Sequence, residues 1–254
     1  MTEQTTHQTE PSTVGRTRLV ADEISRQFGE VTVIDGLSLG LEAGQLHALV
    51  GPNGSGKTTL LQLLAGVDSP TGGSVSYEGP ATARKIGYLP QRPSFRPGFT
   101  ARETLEFYTA LVDTDPAGLL DRVGLADAAD RRVDELSGGM TRLLGLAQAT
   151  VGDPPVILLD EPGSGLDPGM RRRMAELGRE LAADGAAVLY SSHDLELVEA
   201  YSDRVFVVEG GSIVERGEPG PLCAAYGVET LWDVFEAAVD SSGGELDVIG
   251  VSES

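Results

Sequence analysis

The chain has 254 residues and a mass of 26.6 kDa, with 39 acidic against 19 basic residues and a formal net charge of −20. That balance argues against a nucleic-acid partner, because phosphates are bound by clustered basic residues and the only basic run is Arg171–Arg173. A single cysteine excludes an intrachain disulfide, and no signal peptide or apolar run of roughly 18 residues is found. We expect a soluble, cytoplasmic protein that meets a membrane only through a partner.

The first part of the chain predicts strands that lead into one helix. Residues 1–17 are polar and are expected to form a disordered tail. A short apolar run bounded by glycine is typical of a strand buried in a parallel sheet, and a leucine-rich segment closed by Gly66 predicts the helix. The expected strands are Arg18–Phe28, Leu37–Leu41 and Leu46–Val50, and the helix is Lys57–Ala65.

Two further strands, Gly73–Tyr77 and Lys85–Leu89, are expected before the chain becomes mainly helical. Thr100 and Glu103 form a T-x-x-E capping box that opens a helix through about Val112. Shorter helices fill the segment up to Gly152. We therefore expect a helical insert over about residues 92–152.

Strands and helices alternate after this insert, which implies a mostly parallel sheet covered on both faces. The expected strands are Val156–Leu159, Ala187–Ser191, Val205–Val208 and Ser212–Glu215, and the helices are Pro168–Ala183 and Leu195–Tyr201. Residues 218–254 are expected to be an extension: a Pro/Gly-rich link, an amphipathic segment at Leu231–Val239 and an acidic tail.

A glycine-rich stretch between the third strand and the first helix matches G-x-x-x-x-G-K-[ST] in the context that this motif requires. Its glycines let backbone N–H groups face a phosphate. Lys57 would place a charge on the β- and γ-phosphates, and Thr58 a hydroxyl on Mg²⁺. The predicted phosphate-binding residues are Gly51, Pro52, Asn53, Gly54, Ser55, Gly56, Lys57, Thr58 and Thr59.

The apolar strand Val156–Leu159 delivers two carboxylates, Asp160 and Glu161, at its C-terminal end. Ligands bind at that edge of an open parallel sheet. We expect Asp160 to hold Mg²⁺ and Glu161 to polarise the attacking water as a general base.

A third motif, Leu136–Ser137–Gly138–Gly139–Met140, lies about 20 residues before that strand. The order and spacing of the three motifs resemble those of the ATP-binding-cassette (ABC) ATPases, over residues 18–217. The sequence departs from the family at Met140, where Gln is commonest, and at Pro162–Ser164, without losing a phosphate-facing group. The resemblance implies an α/β P-loop NTPase (RecA-like) fold, with a mostly parallel sheet, an antiparallel β subdomain and a helical insert subdomain.

The resemblance also implies roles for residues outside the P-loop. Gln91 would touch Mg²⁺ and water and report on the membrane partner, and His193 would be the switch histidine on the γ-phosphate. Asp167 would lie in the loop that crosses the dimer interface. Phe28 would stack on adenine, the alternative being a core phenylalanine. The signature residues that would face phosphate are Ser137, Gly138 and Gly139; the implied Mg²⁺ ligands are Thr58, Gln91 and Asp160.

In this family two ATP molecules lie head to tail, each between the P-loop of one subunit and the signature of the other. Because the chain has one of each, we expect it to dimerise, with itself or with a similar ATPase subunit. The dimer would drive separate transmembrane permease subunits from the cytoplasmic face of the membrane. The segments Thr100–Leu105 and Leu231–Phe235 resemble ABC-2-type exporter ATPases of the drug-resistance or copper-processing branch.

There are two alternatives to a transport function. The first is a soluble, non-transport ABC ATPase in DNA repair or translation. Repair members carry a long coiled coil between the nucleotide motifs, for which this chain has no room, and translation members usually carry two cassettes. A nucleotide-dependent clamp without turnover would lack Glu161 or His193.

The remaining features are given structural interpretations. His47 lies on a strand, Arg171–Arg173 are expected on a solvated helix face, and Trp232 and Phe235 are expected to pack the C-terminal segment onto the domain. Only two basic residues are lysines. The acidic, lysine-poor surface is either a solubility device or a halophilic adaptation, since molar salt shortens the Debye length to about 3 Å; we favour the second.

Overall fold

The computed structural model describes residues 16–110 and 112–242. The predicted acidic tail after residue 242, Leu111 and all but the last two residues of the predicted N-terminal tail lie outside them. The strands are β1 (Thr17–Phe28), β2 (Val31–Glu42), β3 (Leu46–Val50), β4 (Gly72–Tyr77), β5 (Ile86–Leu89), β6 (Val156–Leu159), β7 (Ala187–Ser191), β8 (Arg204–Glu209) and β9 (Ser212–Gly217). The helices are α1 (Lys57–Leu64), α2 (Ala101–Thr109), α3 (Pro116–Arg122), α4 (Gly138–Thr150), α5 (Pro168–Ala183), α6 (Leu195–Tyr201), α7 (Pro219–Tyr226) and α8 (Leu231–Ser242).

Two sheets organise these elements. A six-stranded sheet has the order β5-β6-β7-β3-β8-β9 and is parallel except for the β8–β9 hairpin, and a second sheet pairs β2-β1-β4 antiparallel. The predicted α/β architecture with an antiparallel β subdomain is confirmed. β2 begins at Val31 rather than at the predicted Leu37, because its first residues continue the hairpin with β1 as far as Phe28.

The helical segment between β5 and β6 contains α2, α3, α4 and two short 3₁₀ turns. The Thr100 side chain accepts from the Glu103 N–H, and the Glu103 carboxylate accepts from the Thr100 N–H, as the predicted capping box requires. The helix ends at Thr109, one turn before the predicted Val112.

The apolar core lies on both faces of the six-stranded sheet. All five residues of β3 are buried: Leu46, Ala48 and Val50 pack on one face, whereas Leu49 packs on the other with Leu60 of α1. This alternation follows from the two-residue period of a strand, and burial on both faces explains why four of the five residues of β3 are apolar. Because β3, β6 and β7 are parallel and lie side by side, their carboxyl ends meet at one edge of the sheet.

The C-terminal extension differs from its prediction. The segment predicted as a Pro/Gly-rich link contains α7, which begins with Pro219 in its first turn, buries Leu222 and ends before Gly227 in the left-handed conformation, with φ 69°. The amphipathic segment forms α8 as predicted, and it buries Leu231 and Val234 in the core. Among the described residues, no helix is long and apolar enough to cross a bilayer.

Candidate functional site

The glycine-rich stretch forms the turn between β3 and α1, and two glycines are required there by geometry. A Cβ on Gly51 would collide with the carbonyl oxygen of Val208, and Gly56 has a φ of +100° at the start of α1. The Lys57 Nζ donates to the carbonyl oxygens of Gly51 (2.8 Å) and Pro52 (2.9 Å). Burial lowers the pKa of Lys57, opposed by the nearby acidic side chains. The buried Lys57 ammonium therefore lies against the backbone of the glycine-rich turn.

Asp160 follows β6 and is almost fully buried beside the turn. Its Oδ1 accepts from Thr58 Oγ1 (3.2 Å) and from Ser191 Oγ (2.9 Å), whereas its Oδ2 is buried and has no hydrogen-bond partner. Burial raises the pKa of Asp160, which the two hydroxyl donors oppose. A buried carboxylate oxygen without a partner favours a cation ligand that would compensate its charge.

Glu161 is held from both sides by Gln91 and His193. Its Oε2 accepts from Gln91 Nε2 (2.7 Å), and its Oε1 lies 2.6 Å from His193 Nε2. Its backbone adopts φ 44°, an uncommon conformation for a non-glycine residue. The Ser191 hydroxyl accepts from the Glu161 N–H (2.7 Å), and Arg142 of α4 donates to its carbonyl oxygen (2.8 Å).

The electrostatics of the site keep the Glu161 carboxylate ionised. Burial alone would raise its pKa, but the hydrogen bonds from Gln91 and His193 and the charges on His193 and Lys57 together lower it. Glu161 is therefore an anion at neutral pH with both oxygens on polar partners. A water molecule placed between this carboxylate and the P-loop would meet a base already in its charged form.

The residues present fit a magnesium ion that arrives with a nucleotide. Mg²⁺ is usually held by one or two carboxylates, a hydroxyl and the substrate phosphates rather than by a cage of protein ligands. The unpartnered Asp160 Oδ2 and the neighbouring Thr58 hydroxyl match that donor set. Within the described ranges, no group of three or more His, Cys, Asp or Glu side chains could hold a metal without such phosphates.

The third motif stands at the N-terminus of α4, where Ser137 caps the helix and accepts from the Met140 N–H (3.3 Å). Ser137 and Gly138 are exposed. Asp167 similarly caps α5 and accepts from the Met170 N–H (3.0 Å). A Cβ on Gly139 would lie 3.5 Å from Met170, so the signature and the start of α5 are neighbours. Over residues 16–110 and 112–242, no hydrogen bond joins the signature to the P-loop.

A family model described as "ABC transporter" matches residues 34–164, which is just over half of the chain. The chain belongs to the ABC transporter family. The Nod factor export ATP-binding protein I of Paraburkholderia xenovorans is 39% identical over 229 residues, which span 85% of this chain and 74% of that protein.

Solved structures agree with this assignment. A structure described as the ATP-binding subunit of an ABC transporter is 25% identical, with a TM-score of 0.78 over 87% of this chain and 99% of that chain. CbiO1 from Clostridium perfringens, described as part of the ABC transporter complex cbiONQ, shares the fold at 23% identity and a TM-score of 0.72, over 83% of this chain and 92% of that chain.

Family membership confirms the P-loop NTPase fold and the prediction of an ATP-binding, ATP-hydrolysing ABC transporter subunit. It favours transport over the non-transport alternative. The relative described above is named a Nod factor export ATP-binding protein, and the narrower drug-resistance and copper-processing branches stay predictions.

Phe28, which the ABC resemblance places against adenine, lies at the end of β1 and is 48% exposed. The core alternative is therefore wrong. The Arg26 guanidinium lies over the Phe28 ring, with its Cζ 4.5 Å from the ring centroid. The hairpin reaches the P-loop through Ile34 of β2, whose side chain lies beside Gly56.

Other residues divide into confirmed and corrected interpretations. His47 is buried, shares a hydrogen bond with the Val188 carbonyl oxygen and stacks on Phe206, which confirms its structural interpretation. Phe235 packs against the core as expected. Trp232 does not: it is 52% exposed, because Leu231 and Val234 take the inward face of α8.

Sequence reasoning missed three residues that hold the site: Ser191, Arg142 and Arg171. The sequence predicts Ser191 only as the end of a strand, and it gives Arg142 no role of its own. Arg171 was placed on a solvated face, but its guanidinium pairs with Asp194 (2.7 Å). A hydroxyl residue at the carboxyl end of a central strand was the one available signal, since that edge binds ligands.

Proposed function

We propose that this ABC ATPase binds Mg²⁺-ATP at the P-loop and hydrolyses it with Glu161 as the general base. The clamped and ionised Glu161 carboxylate carries this proposal. The backbone amides of residues 51–59 and Lys57 would bind the phosphates, as helix N-termini and P-loops do. Asp160, Thr58 and Gln91 would hold Mg²⁺, which supplies charge neutralisation on the phosphate oxygens.

In the hydrolytic step, water attacks the γ-phosphorus, and the bond between this phosphorus and the bridging oxygen that leaves with ADP breaks. The proton that water loses passes to Glu161, which the low pKa keeps ready to accept it. His193, 2.6 Å from Glu161, would exchange this contact for the γ-phosphate when ATP is bound. Phe28 would stack on adenine from the exposed end of β1.

We also propose that the complete site needs two chains. Ser137, Gly138 and Asp167 are exposed at the N-termini of two neighbouring helices, where backbone N–H groups and the helix dipole suit a phosphate. A second copy, or a similar subunit, would place its signature over the ATP held by the first P-loop.

The partners and place of action follow from the relatives. Export is proposed because the exporter relative described above is 39% identical over 85% of this chain. Separate permease subunits would bind near Gln91 and the helical segment, and would hold the ATPase at the cytoplasmic face of the membrane. The exported substance would be selected by those subunits.

The Glu161→Gln variant tests the catalytic proposal. Glutamine keeps the size of the side chain but cannot take a proton, so turnover should fall by about 100- to 10,000-fold while ATP still binds. Glu196→Gln, on the exposed side of α6, is the matched control and should leave turnover unchanged. Wild-type turnover in Glu161→Gln would show that the base has been misassigned.

A further inference from the structure

Three consecutive arginines on α5 have different surroundings. Arg172 pairs with Glu176 one turn away on the exposed face, and Arg173 pairs with Glu180 on the same helix. The Arg171 side chain instead extends to a residue outside α5, and its Nη1 donates to Asp194 Oδ2 at 2.7 Å. Its side chain is 38% exposed, against 69% for Arg172. The sequence does not distinguish the three arginines, so the difference between their ion-pair partners arises from the tertiary structure.

Arg171 contacts both loops that carry the proposed catalytic side chains. A Cβ on Gly163 would lie 3.3 Å from Arg171 Cγ, so the arginine stem packs on the loop two residues beyond Glu161. The guanidinium reaches Asp194, which directly follows His193 and caps α6 by accepting from the Leu197 N–H. One side chain thus joins the loop after β6 to the loop after β7.

Packing restrains these loops only in part, because a pocket of about 260 Å³ that is partly open to solvent lies beside them. It is lined by Leu46, Leu159, Met174 and Tyr190 of the domain and by His193 and Asp194 of the loop after β7. Side chains that line such a pocket lack packing partners on one side. The ion pair between Arg171 and Asp194 adds a polar restraint at this place.

We propose that Arg171 is a positioning residue for hydrolysis: its ion pair with Asp194 fixes the loop that carries His193 relative to the loop that carries Glu161. This rests on the roles proposed above for Glu161 and His193. Arg171 forms its ion pair with Asp194 rather than with Glu161 or His193, so it acts through Asp194. Geometry at a reacting centre is demanding, since a misplacement of about 1 Å costs as much as 100-fold in rate.

The test measures kcat and KM for ATP in the full-length chain for Arg171→Met and Asp194→Asn. Methionine keeps the apolar stem on Gly163, and asparagine keeps an oxygen for the Leu197 N–H, so both variants lose the ion pair with little disturbance of the fold. We expect kcat to fall about 10- to 100-fold in each, with KM within about twofold. The double variant should be no worse than either single one, because both remove the same contact.

Two controls separate positioning from stability. Arg172→Met removes the exposed neighbouring arginine and should leave kcat unchanged. Arg171→Lys keeps a charge without the planar fork and should restore part of the lost rate. The melting temperature should move little in any variant, because partly exposed ion pairs contribute little to folding.

The proposal is overturned if Arg171→Met and Asp194→Asn both turn over ATP at the wild-type rate, or if they raise KM and leave kcat unchanged. If in the same assay Glu161→Gln and His193→Ala still abolish turnover, the proposed catalytic site stands and only the positioning role of Arg171 fails. If Glu161→Gln and His193→Ala also retain full turnover, the proposed site itself is wrong, and the role of Arg171 is overturned with it.

Discussion

The Ser191→Ala variant removes one buried hydroxyl that bonds to the Asp160 carboxylate and to the Glu161 backbone N–H. Ser191 is fully buried at the end of β7; it donates to Asp160 Oδ1 (2.9 Å) and accepts from the Glu161 N–H (2.7 Å). Alanine fills nearly the same volume, so the substitution changes hydrogen bonding and leaves no cavity of note. Both partners would lose a contact at the same time.

The expected loss follows from those two contacts. An N–H left without a partner costs about 1–3 kcal/mol, and a hydrogen bond to a charged group contributes about 1.5–3 kcal/mol. Because the two losses share one site and the Glu161 N–H is only partly buried, we expect a loss of about 3 kcal/mol in the free energy of unfolding rather than the full sum. For a chain of this size that is a fall of roughly 6–12 °C in Tm.

Urea denaturation and ATP turnover would be measured together. The matched control is Ser192→Ala, which removes a single half-buried hydroxyl contact, to the Asp194 N–H (3.0 Å), and should cost about 1 kcal/mol or less. Turnover in Ser191→Ala should also fall, because the hydroxyl helps hold Glu161 at φ 44°. A change in unfolding free energy below about 1 kcal/mol, equal to that of the control, would refute the reasoning.

Three further results are expected. Burial lowers the pKa of His47 from 6.5 to about 4, so between these pH values the unfolded chain binds a proton that the folded chain does not. The free energy of unfolding of the wild type should therefore fall by up to about 3 kcal/mol as the pH falls from 6.5 to 4, and His47→Gln should lack this component in urea titrations. With a net charge of −20, ATP affinity measured by calorimetry should hold or improve as KCl rises towards molar, and a steep loss would favour the solubility interpretation of the acidic surface. Gln91→Ala should spare ATP binding by the isolated subunit but uncouple hydrolysis from the permease in proteoliposomes; transport at the wild-type rate would contradict its relay role.

Elements with strong local signals were predicted with the bounds that they have. β6 is an uninterrupted apolar run, β3 and β7 are mostly apolar, and α5 begins where Asp167 and Pro168 predict. α7 was missed because its proline- and glycine-containing sequence is a poor helix former. It is stabilised by packing Leu222 into the core and against α8, which local sequence cannot show.

The candidate site likewise has a part that the sequence predicts and a part that it does not. Asp160, Glu161 and His193 follow strands that end at one edge of a parallel sheet, so their proximity was predictable. The hydrogen bonds that orient them were not, because Ser191 and Glu161 are 30 residues apart and Arg171 and Asp194 are 23 apart. Such contacts depend on loop geometry that only the assembled fold defines.

The central claim is that ATP is bound between the P-loop of one chain and the signature of another, with Glu161 as the base. The most direct measurement is the mass and nucleotide content of Glu161→Gln with Mg²⁺-ATP, by sedimentation and quantification of bound ATP. The account predicts a stable dimer with one ATP per chain, which reverts to monomers that still bind ATP when Ser137→Arg is added. A Glu161→Gln protein that binds ATP and stays monomeric, or a dimer indifferent to Ser137→Arg, would contradict it.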